Sequence, residues 1–439
     1  MTTVTQKIPS GYKQTEIGLI PIDWDLMNIE DLTPLGKKYG IVDGPFGSNL
    51  KTEHYRKSGI PIITSGYVTD GRFIVDKYLY VDKEKFIQEK RSAVRGGDIV
   101  MAKIGARCGA SAILPKNHME SILSGNALKI TVDENRFSTF FVWQILWNLY
   151  IEGNLESLRT TGAQPAISMA NLKKYKILIP SNKSEQIAIA TALSDVDVLI
   201  NKLEKCIEKK KNIKLGVMQG LLTGKRRLSG FSKEWETKLL PDITWFQEGP
   251  GVRTSQFTQS GVKLLNGTNI YKGKLLLDNT NRFISESEAF GPYSHFLVDD
   301  GDIVIASSGI IVDKFEEKIS FVKKEHLPLC MNTSTIRFKI RNNLLDPLFL
   351  YYFFMSKKFK DQIGAQATGS AQLNFGPSHL EKVEIALPKD KKEQAAITEI
   401  ISSMDAEIEK LESQLTKYQN IKQGMMQTLL TGKIRLLTK

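Results

Sequence analysis

The sequence is short of residues that staple, ligate or anchor. Its three cysteines, Cys108, Cys206 and Cys330, are odd in number and far apart, which argues against a disulfide framework and against a zinc site. They are expected to be small buried hydrophobes. The five histidines, His54, His118, His295, His326 and His379, show no HExxH or CxxC-type spacing, so no metal is expected. Long apolar runs are missing too. The two strongest, "FFVWQILWNLY" from Phe140 and "PLFLYYFFM" from Pro347, reach about half the roughly 20 residues that span a bilayer and read as buried helices. The first residues, "MTTVTQKIPSGYKQTE", carry no apolar stretch of the kind a secretory signal needs. A cytoplasmic address without membrane contact is the expectation.

Catalytic signatures are equally scarce. "TGK" occurs twice, but Gly220 to Lys225 has the wrong spacing for a phosphate loop, and Arg226 or Ile434 stands where Ser or Thr would hold magnesium. Both copies also end a predicted helix, where the macrodipole repels phosphate. "DPLF" at Asp346 resembles the opening of a base-gripping methyltransferase loop, yet Leu348 replaces its second proline and no glycine-rich cofactor loop accompanies it; it reads as the start of the apolar helix. No nucleophile, base and oxyanion loop can be assembled. The Glu/Lys pairs of the predicted long helices read as solvated faces.

What the chain does have is size, positive charge and a repeat. Its 439 residues suggest about three structural units, and 41% hydrophobic with 25% charged content is globular rather than disordered. The net charge of +12 makes a polyanionic partner plausible. "GVMQGLLTGKRRL" at 216–228 returns as "GMMQTLLTGKIRL" at 424–436, and the likeness runs back without a gap to Pro180 and Pro388, with about half the positions identical. Such self-similarity organises the architecture. Ile189, Leu193, Val196, Ile200, Leu203 and Ile207 follow alternating steps of four and three, as do Ile397, Ile401, Met404, Ile408, Leu411 and Leu415, which is a heptad seam. No proline interrupts either stretch, and Gly224 and Gly432 suit helix ends. Each copy is predicted as one helix of about 36 residues and about 54 Å, the two pairing antiparallel as a coiled coil; two amphipathic helices docked on separate domains are the alternative.

Fainter correspondences precede the helices: "GGDIVMAKIGA" from Gly96 with "DGDIVIASSGI" from Asp300, and "TGAQPAISMANLKKYKILIP" from Thr161 with "TGSAQLNFGPSHLEKVEIALP" from Thr368. Short β-rich runs and one apolar helix in each region predict an α+β domain with a twisted or barrel-like sheet. The plan is a variable domain (1–180), a helix (181–228), a second variable domain (229–387) and a second helix (388–439), with internal pseudo-two-fold symmetry.

The loops recurring between the domains carry residues suited to DNA. "IVDGPFGSNLK" supplies Gly44, Pro45, Phe46, Gly47, Ser48 and Lys51, and "FQEGPGVRTSQF" supplies Gly249, Pro250, Gly251 and Arg253. Glycines let a backbone approach closely, while Lys and Arg contact phosphate or guanine. "AKIGARCGA" offers Lys103 and Arg107 where "ASSGIIVDK" offers Ser307, Ser308 and Lys314. Thr161 and Gln164 in one domain, and Thr368, Gln372 and Asn374 in the other, add amides and hydroxyls that pair with adenine edges. An ordinary hairpin loop remains the alternative for "IVDGPFGSNLK" and "FQEGPGVRTSQF". If both domains read DNA, these differences make them read different sequences.

"GYKQTEIGLIPIDWDL", "DGPFGS", the "GDIV" strands, the paired "TG…Q…IP" segments and the two "EQ…LLTGK" helices, in this order, make the chain resemble the specificity (S) subunit of Type I restriction-modification systems along essentially its whole length. The resemblance implies two target recognition domains, each reading half of a split sequence in double-stranded DNA, with the helices as spacer. It implies further that the helices dock two methyltransferase subunits, which carry S-adenosylmethionine and methylate adenine. Restriction subunits join them, and the S chain itself is non-catalytic and binds no cofactor. A stand-alone DNA-binding or architectural protein of two modules is the alternative; a single-chain nuclease or methyltransferase would need a cofactor loop or acidic metal cluster that the sequence does not display.

Overall fold

The computed structural model describes residues 8–160, 164–341, 344–364 and 372–436. It divides into two compact units, Met1–Lys202 with Leu415–Lys439, and Leu203–Gln414. Both divisions fall inside a long helix: Lys183–Leu221 and Lys391–Leu429, of 39 residues each. Each unit therefore holds a variable body, the start of the helix that follows that body, and the end of the other helix.

In the first unit a four-stranded antiparallel sheet runs Ser111–Ile113, Ile99–Ala102, Ala127–Ile130, Ile41–Asp43. Ile99–Ala102 and Ala127–Ile130 are buried at every residue, because a second sheet and an apolar helix cover the two faces. The second sheet pairs Ile60–Ile63 parallel with Ser121–Leu123. Helix Thr139–Ile151 is capped by Ser138, which accepts from the Phe141 N–H, and buries Phe141, Val142 and Leu146.

The second unit repeats this plan. Thr244–Glu248, Thr335–Ile340, Ile303–Ala306 and Ile319–Phe321 form the antiparallel sheet, and Val262–Leu265 pairs parallel with Leu329–Met331. The "DPLF" stretch starts helix Pro347–Met355, with Asp346 as the cap that accepts from Phe349 N–H. Even the buried ions match. Lys129 faces Asp98 at 3.4 Å in one sheet, and Arg337 faces Asp302 at 3.7 Å in the other. Burial lowers the pKa of Lys129 and of Arg337 and raises that of Asp302. These perturbed groups belong to the sheet cores, so they mark packing rather than chemistry.

Each sequence repeat forms one helix, as its spacing predicts, and the helices run antiparallel. In the second unit Lys210 meets Glu407 at 2.7 Å and Lys211 meets Glu412 at 2.6 Å; Lys214 meets Asp405, which also accepts from the Tyr352 hydroxyl at 2.9 Å. In the first unit Lys422 meets Asp197 at 2.7 Å. These charges thus bridge the helices, where the sequence reading placed them on solvated faces. None of the twelve seam residues is exposed. Ile189 and Leu193 join a core with Trp24, Ile177 and Met426; Ile397 and Ile401 join one with Met218, Leu222 and Phe353. Ile207 and Ile408 are buried, and Val196, Ile200, Leu203, Met404, Leu411 and Leu415 are half-buried.

The "EQ" pair opening each helix ties it to the body. Gln186 accepts from Ser138 N–H and donates to Pro180 O, both at 2.8 Å; Gln394 accepts from Asp346 N–H and donates to Leu344 O and Pro388 O, all at 2.8 Å. One amide is not so provided for. Gln144 is fully buried, and among the described residues neither its Oε1 nor its Nε2 has a hydrogen-bond partner. Desolvating an amide without a partner costs about 1–3 kcal/mol, so Gln144→Met, which keeps the volume, is expected to raise stability by up to that amount. Chemical denaturation of the full chain checks the sign.

Candidate nucleic-acid interface

The residues singled out in the first unit lie on loops at the ends of its central strands. Gly44 follows Ile41–Asp43 and donates to Ala127 O at 3.1 Å. A Cβ there would stand 2.0 Å from Ser124 O, so this glycine is needed for the chain's own close approach, and both it and Pro45 are buried. Phe46 is 43% exposed. Lys103 places its ammonium 4.1 Å from the Phe46 ring centroid and on the Asp43 carboxylate; it is a paired cation, where the sequence suggested a free one. Lys103 N–H donates to Asn126 O at 2.8 Å and Lys103 O accepts from Ile167 N–H at 2.9 Å. Gly105 N–H donates to Pro165 O at 3.0 Å, which lays the segment after exposed Gln164 beside Lys103–Gly105. Arg107 reaches Val68 O at 3.4 Å and Thr69 Oγ1 at 3.3 Å. Lys51 sits in the turn before Thr52–His54 with its ammonium 3.8 Å from Glu53, and Gly47 is exposed. Thr161 and the side chain of Ser48 lie outside the described residues.

The second unit builds the same frame with other side chains. Gly249 N–H donates to Thr335 O at 2.9 Å, and a Cβ there would stand 2.1 Å from Asn332 O. Pro250 O accepts from Thr333 Oγ1 at 3.2 Å. Ser307 takes the Lys103 place: its N–H donates to Ser334 O and its carbonyl accepts from Phe375 N–H, both at 2.9 Å. It is buried, so its hydroxyl is not displayed as the sequence suggested. Asn374 Oδ1 accepts from Ser308 Oγ and Gly309 N–H, both at 2.8 Å, and thereby joins the loop that carries exposed Gln372. Arg253 and Lys314 are exposed; the Arg253 guanidinium has no hydrogen-bond or ion-pair partner among the described residues, and its backbone N–H is held by Gln256 Oε1 at 3.0 Å. Thr368 lies outside the described residues.

The structure adds an open cleft of about 740 Å³ in the second unit, lined in part by Thr254, Asn266, Asn281, Arg282, Lys318 and Thr333. None of these had been singled out. The signal was present in "NGTN", "DNTNRF" and "MNTST", three Asn/Thr-rich stretches separated in sequence that only the folded strands bring together. Among the described residues no three His, Cys, Asp or Glu side chains stand close enough to hold a metal ion, and no helix is long and apolar enough to cross a membrane.

The matched frames coincide with a matched pair in comparison with known proteins. Residues 21–215 and again 232–417 match the Type I restriction modification DNA specificity domain. The chain belongs to that family. Two relatives from Methanocaldococcus jannaschii (strain ATCC 43067) are the Type I restriction enzyme MjaVIII specificity subunit, 26% identical over 95% of this chain and 94% of its own, and the putative type I restriction enzyme MjaX specificity subunit, 27% identical over 98% and 97%. Among solved structures, the Type-I restriction-modification system S subunit from M. genitalium matches with a TM-score of 0.54 at 16% identity, covering 97% of this chain and 98% of that one. A chain from a structure on complex assembly and conformational transition of the type I R-M system matches with a TM-score of 0.59 at 12% identity, covering 94% and 99%. At such identities the likeness speaks for the fold.

Each specificity domain, as matched, takes in one variable body and most of the helix behind it. The frame common to the two is main-chain: a glycine against a carbonyl, and loops held by N–H···O bonds at equivalent places. What differs is the side chains it carries. Lys103 answers to Ser307, Ser124 to Asn332 and Gly125 to Thr333.

Proposed function

We propose that this chain is the non-catalytic sequence-recognition subunit of a Type I restriction-modification complex. Each specificity domain reads one half of an asymmetric bipartite target in double-stranded DNA. The observation that carries this reading is one frame built twice with different side chains at equivalent loop positions, which is what two half-sites of unlike sequence require. The net charge of +12 supplies the sequence-independent attraction to phosphate. The long helices set the gap between the half-sites and dock two adenine-methyltransferase subunits, which bring S-adenosylmethionine; restriction subunits join through them. Docking has support in apolar side chains that the helices leave in water: Val198, Ile213, Leu215 and Ile421 are 48%, 45%, 47% and 39% exposed.

The test is single-molecule methylation sequencing of a host expressing this chain with its methyltransferase, against one lacking only this chain. A split motif with N6-methyladenine in both halves, absent from the second strain, is the expected result. The same readout tests the spacer. Four residues added to each long helix lengthen it by about 6 Å, so the gap is expected to widen by about two base pairs. Unchanged methylation on removing the chain would favour the stand-alone DNA-binding protein, and an unchanged gap would take the ruler role from the helices.

A further inference from the structure

Within the cleft of the second unit most amides are already committed. Asn332 Nδ2 donates to Asn266 Oδ1 at 2.9 Å, Asn332 Oδ1 accepts from Val252 N–H at 3.3 Å, Asn269 Oδ1 accepts from Asn266 N–H at 2.9 Å, and Asn269 Nδ2 donates to Leu276 O at 3.3 Å. Asn269 and Asn332 are also buried. These three asparagines make a stiff floor and have little left with which to read a base. Lys318 is likewise spent on the carbonyls of Gly267 and Ile270, at 3.3 and 2.8 Å.

Arg282 is different. Its backbone is fixed on both sides, its N–H donating to Thr280 Oγ1 at 3.3 Å and its carbonyl accepting from Leu264 N–H at 3.0 Å. Its guanidinium stands 5.5 Å from the Phe257 ring centroid, a cation–π contact that restrains the fork without using its donors. The residue is exposed on the cleft, and none of its five N–H groups has a hydrogen-bond or ion-pair partner among the described residues. A restrained, unspent guanidinium matches the O6/N7 edge of guanine in two hydrogen bonds, with a planar fork more rigid than a lysine ammonium on its flexible stem.

The first unit shows that this place is free to vary. Arg282 lies opposite Leu264 just before strand Phe283–Ile284, and Leu79 lies opposite Ile62 in strand Leu79–Val81. Leu79 is 42% exposed, an apolar side chain at the position where the other unit carries a cation. Two frames with equal backbone and opposite chemistry at one exposed position fit a specificity determinant, since sequence is read by the side chains that differ where the half-sites differ.

We infer that Arg282 is a specificity-determining residue of the second specificity domain and reads a guanine in its half of the target, with Leu79 as the corresponding determinant of the first. This rests on the DNA-recognition reading above. The full chain, purified with its methyltransferase, is presented with a randomised duplex library, and bound sequences are counted. The wild-type protein enriches a split motif; if it enriches none, it is the recognition function itself that fails. Given the motif, Arg282→Ala lowers the preference for guanine at one position of one half by about ten- to a hundredfold and leaves the other half intact. Arg282→Lys keeps the charge and part of the preference, so it falls between wild type and Arg282→Ala, and Leu79→Arg introduces a guanine preference in the opposite half. Equal weakening on all sequences with a shallower salt dependence would make Arg282 a phosphate contact and overturn the inference, as would an unchanged motif. An unchanged melting transition in each variant excludes misfolding as the cause.

Discussion

Arg435→Ala is expected to destabilise the first unit by about 3–5 kcal/mol, the usual cost of stranding a buried partner charge. Arg435 Nε and Nη2 donate to Glu185 at 2.6 and 2.8 Å, while Nη1 and Nη2 donate to Asp23 at 2.7 and 2.6 Å. Glu185 is 1% exposed and also accepts from Trp24 Nε1 at 3.3 Å. Among the described residues, removing the arginine leaves that carboxylate in the core with one neutral side-chain donor, Trp24. In a Glu185→Gln background the same substitution strands no charge and costs much less, so the difference between the two backgrounds isolates the pair. Arg435 holds the Asp23 carboxyl below its ordinary value, chiefly through the hydrogen bonds between them. A depressed folded pKa stabilises above the ordinary carboxylate range, and that contribution is lost as pH falls through the lowered value. The gap between wild type and Arg435→Ala therefore narrows in acid. Denaturation curves at neutral pH and near pH 3 check both statements.

The second unit contains the counterpart. Arg227 donates to Glu393 at 2.6 and 2.8 Å and lies over Trp235 as Arg435 lies over Trp24, each 5.7 Å from the ring. Arg227 ends the first repeat but binds the Glu that opens the second; Arg435 ends the second but binds the Glu that opens the first. The repeat was plain in the sequence, and so were the helices and their seam, because periodicity is a one-dimensional signal. That each repeat closes on the head of the other was not plain. Nothing in "EQ" or "LLTGK" says that its partner stands some two hundred residues away, and these glutamates looked like members of a solvated face.

The site divides along the same line. The loops at Gly44, Lys103, Gln164, Gly249, Ser308 and Gln372 were legible as recurring, Gly- and polar-rich segments between β-rich runs. Their roles within the loops were not. Lys103 reads as a free cation until Asp43 and Phe46 are seen beside it, and Ser307 reads as displayed until the strand end covers it. Arg282 passed unnoticed because its setting, the ring of Phe257 and the strand of Leu264, is distant in sequence and visible only once folded.

Gly249→Ala carries the other large expected effect, and it separates frame from reader. The added Cβ would meet Asn332 O at 2.1 Å, Asn332 C at 2.7 Å and Asn332 N at 3.0 Å, all main-chain atoms that cannot rotate aside. The loop must move away, breaking the Gly249 N–H bond to Thr335 O and loosening Thr333 Oγ1 from Pro250 O and Val252 N–H from Asn332 Oδ1. Overpacking of this kind costs about 1–3 kcal/mol, and the lost hydrogen bonds bring the expected total to about 2–4 kcal/mol. Gly216→Ala is the matched control: that glycine is exposed in a helix with nothing within 4 Å of an added Cβ, so about 0.5–1 kcal/mol of stabilisation is expected. In methylation sequencing the two variants part further. Because Asn332 also anchors Asn266 on the cleft floor, Gly249→Ala disorders the frame on which this domain's readers stand, and discrimination is expected to fall across its whole half-site while the other half keeps its sequence. A variant that melted early yet still selected an unchanged motif would show that the readers do not depend on the glycine–carbonyl contact, and the shared main-chain frame would lose its claim to position them.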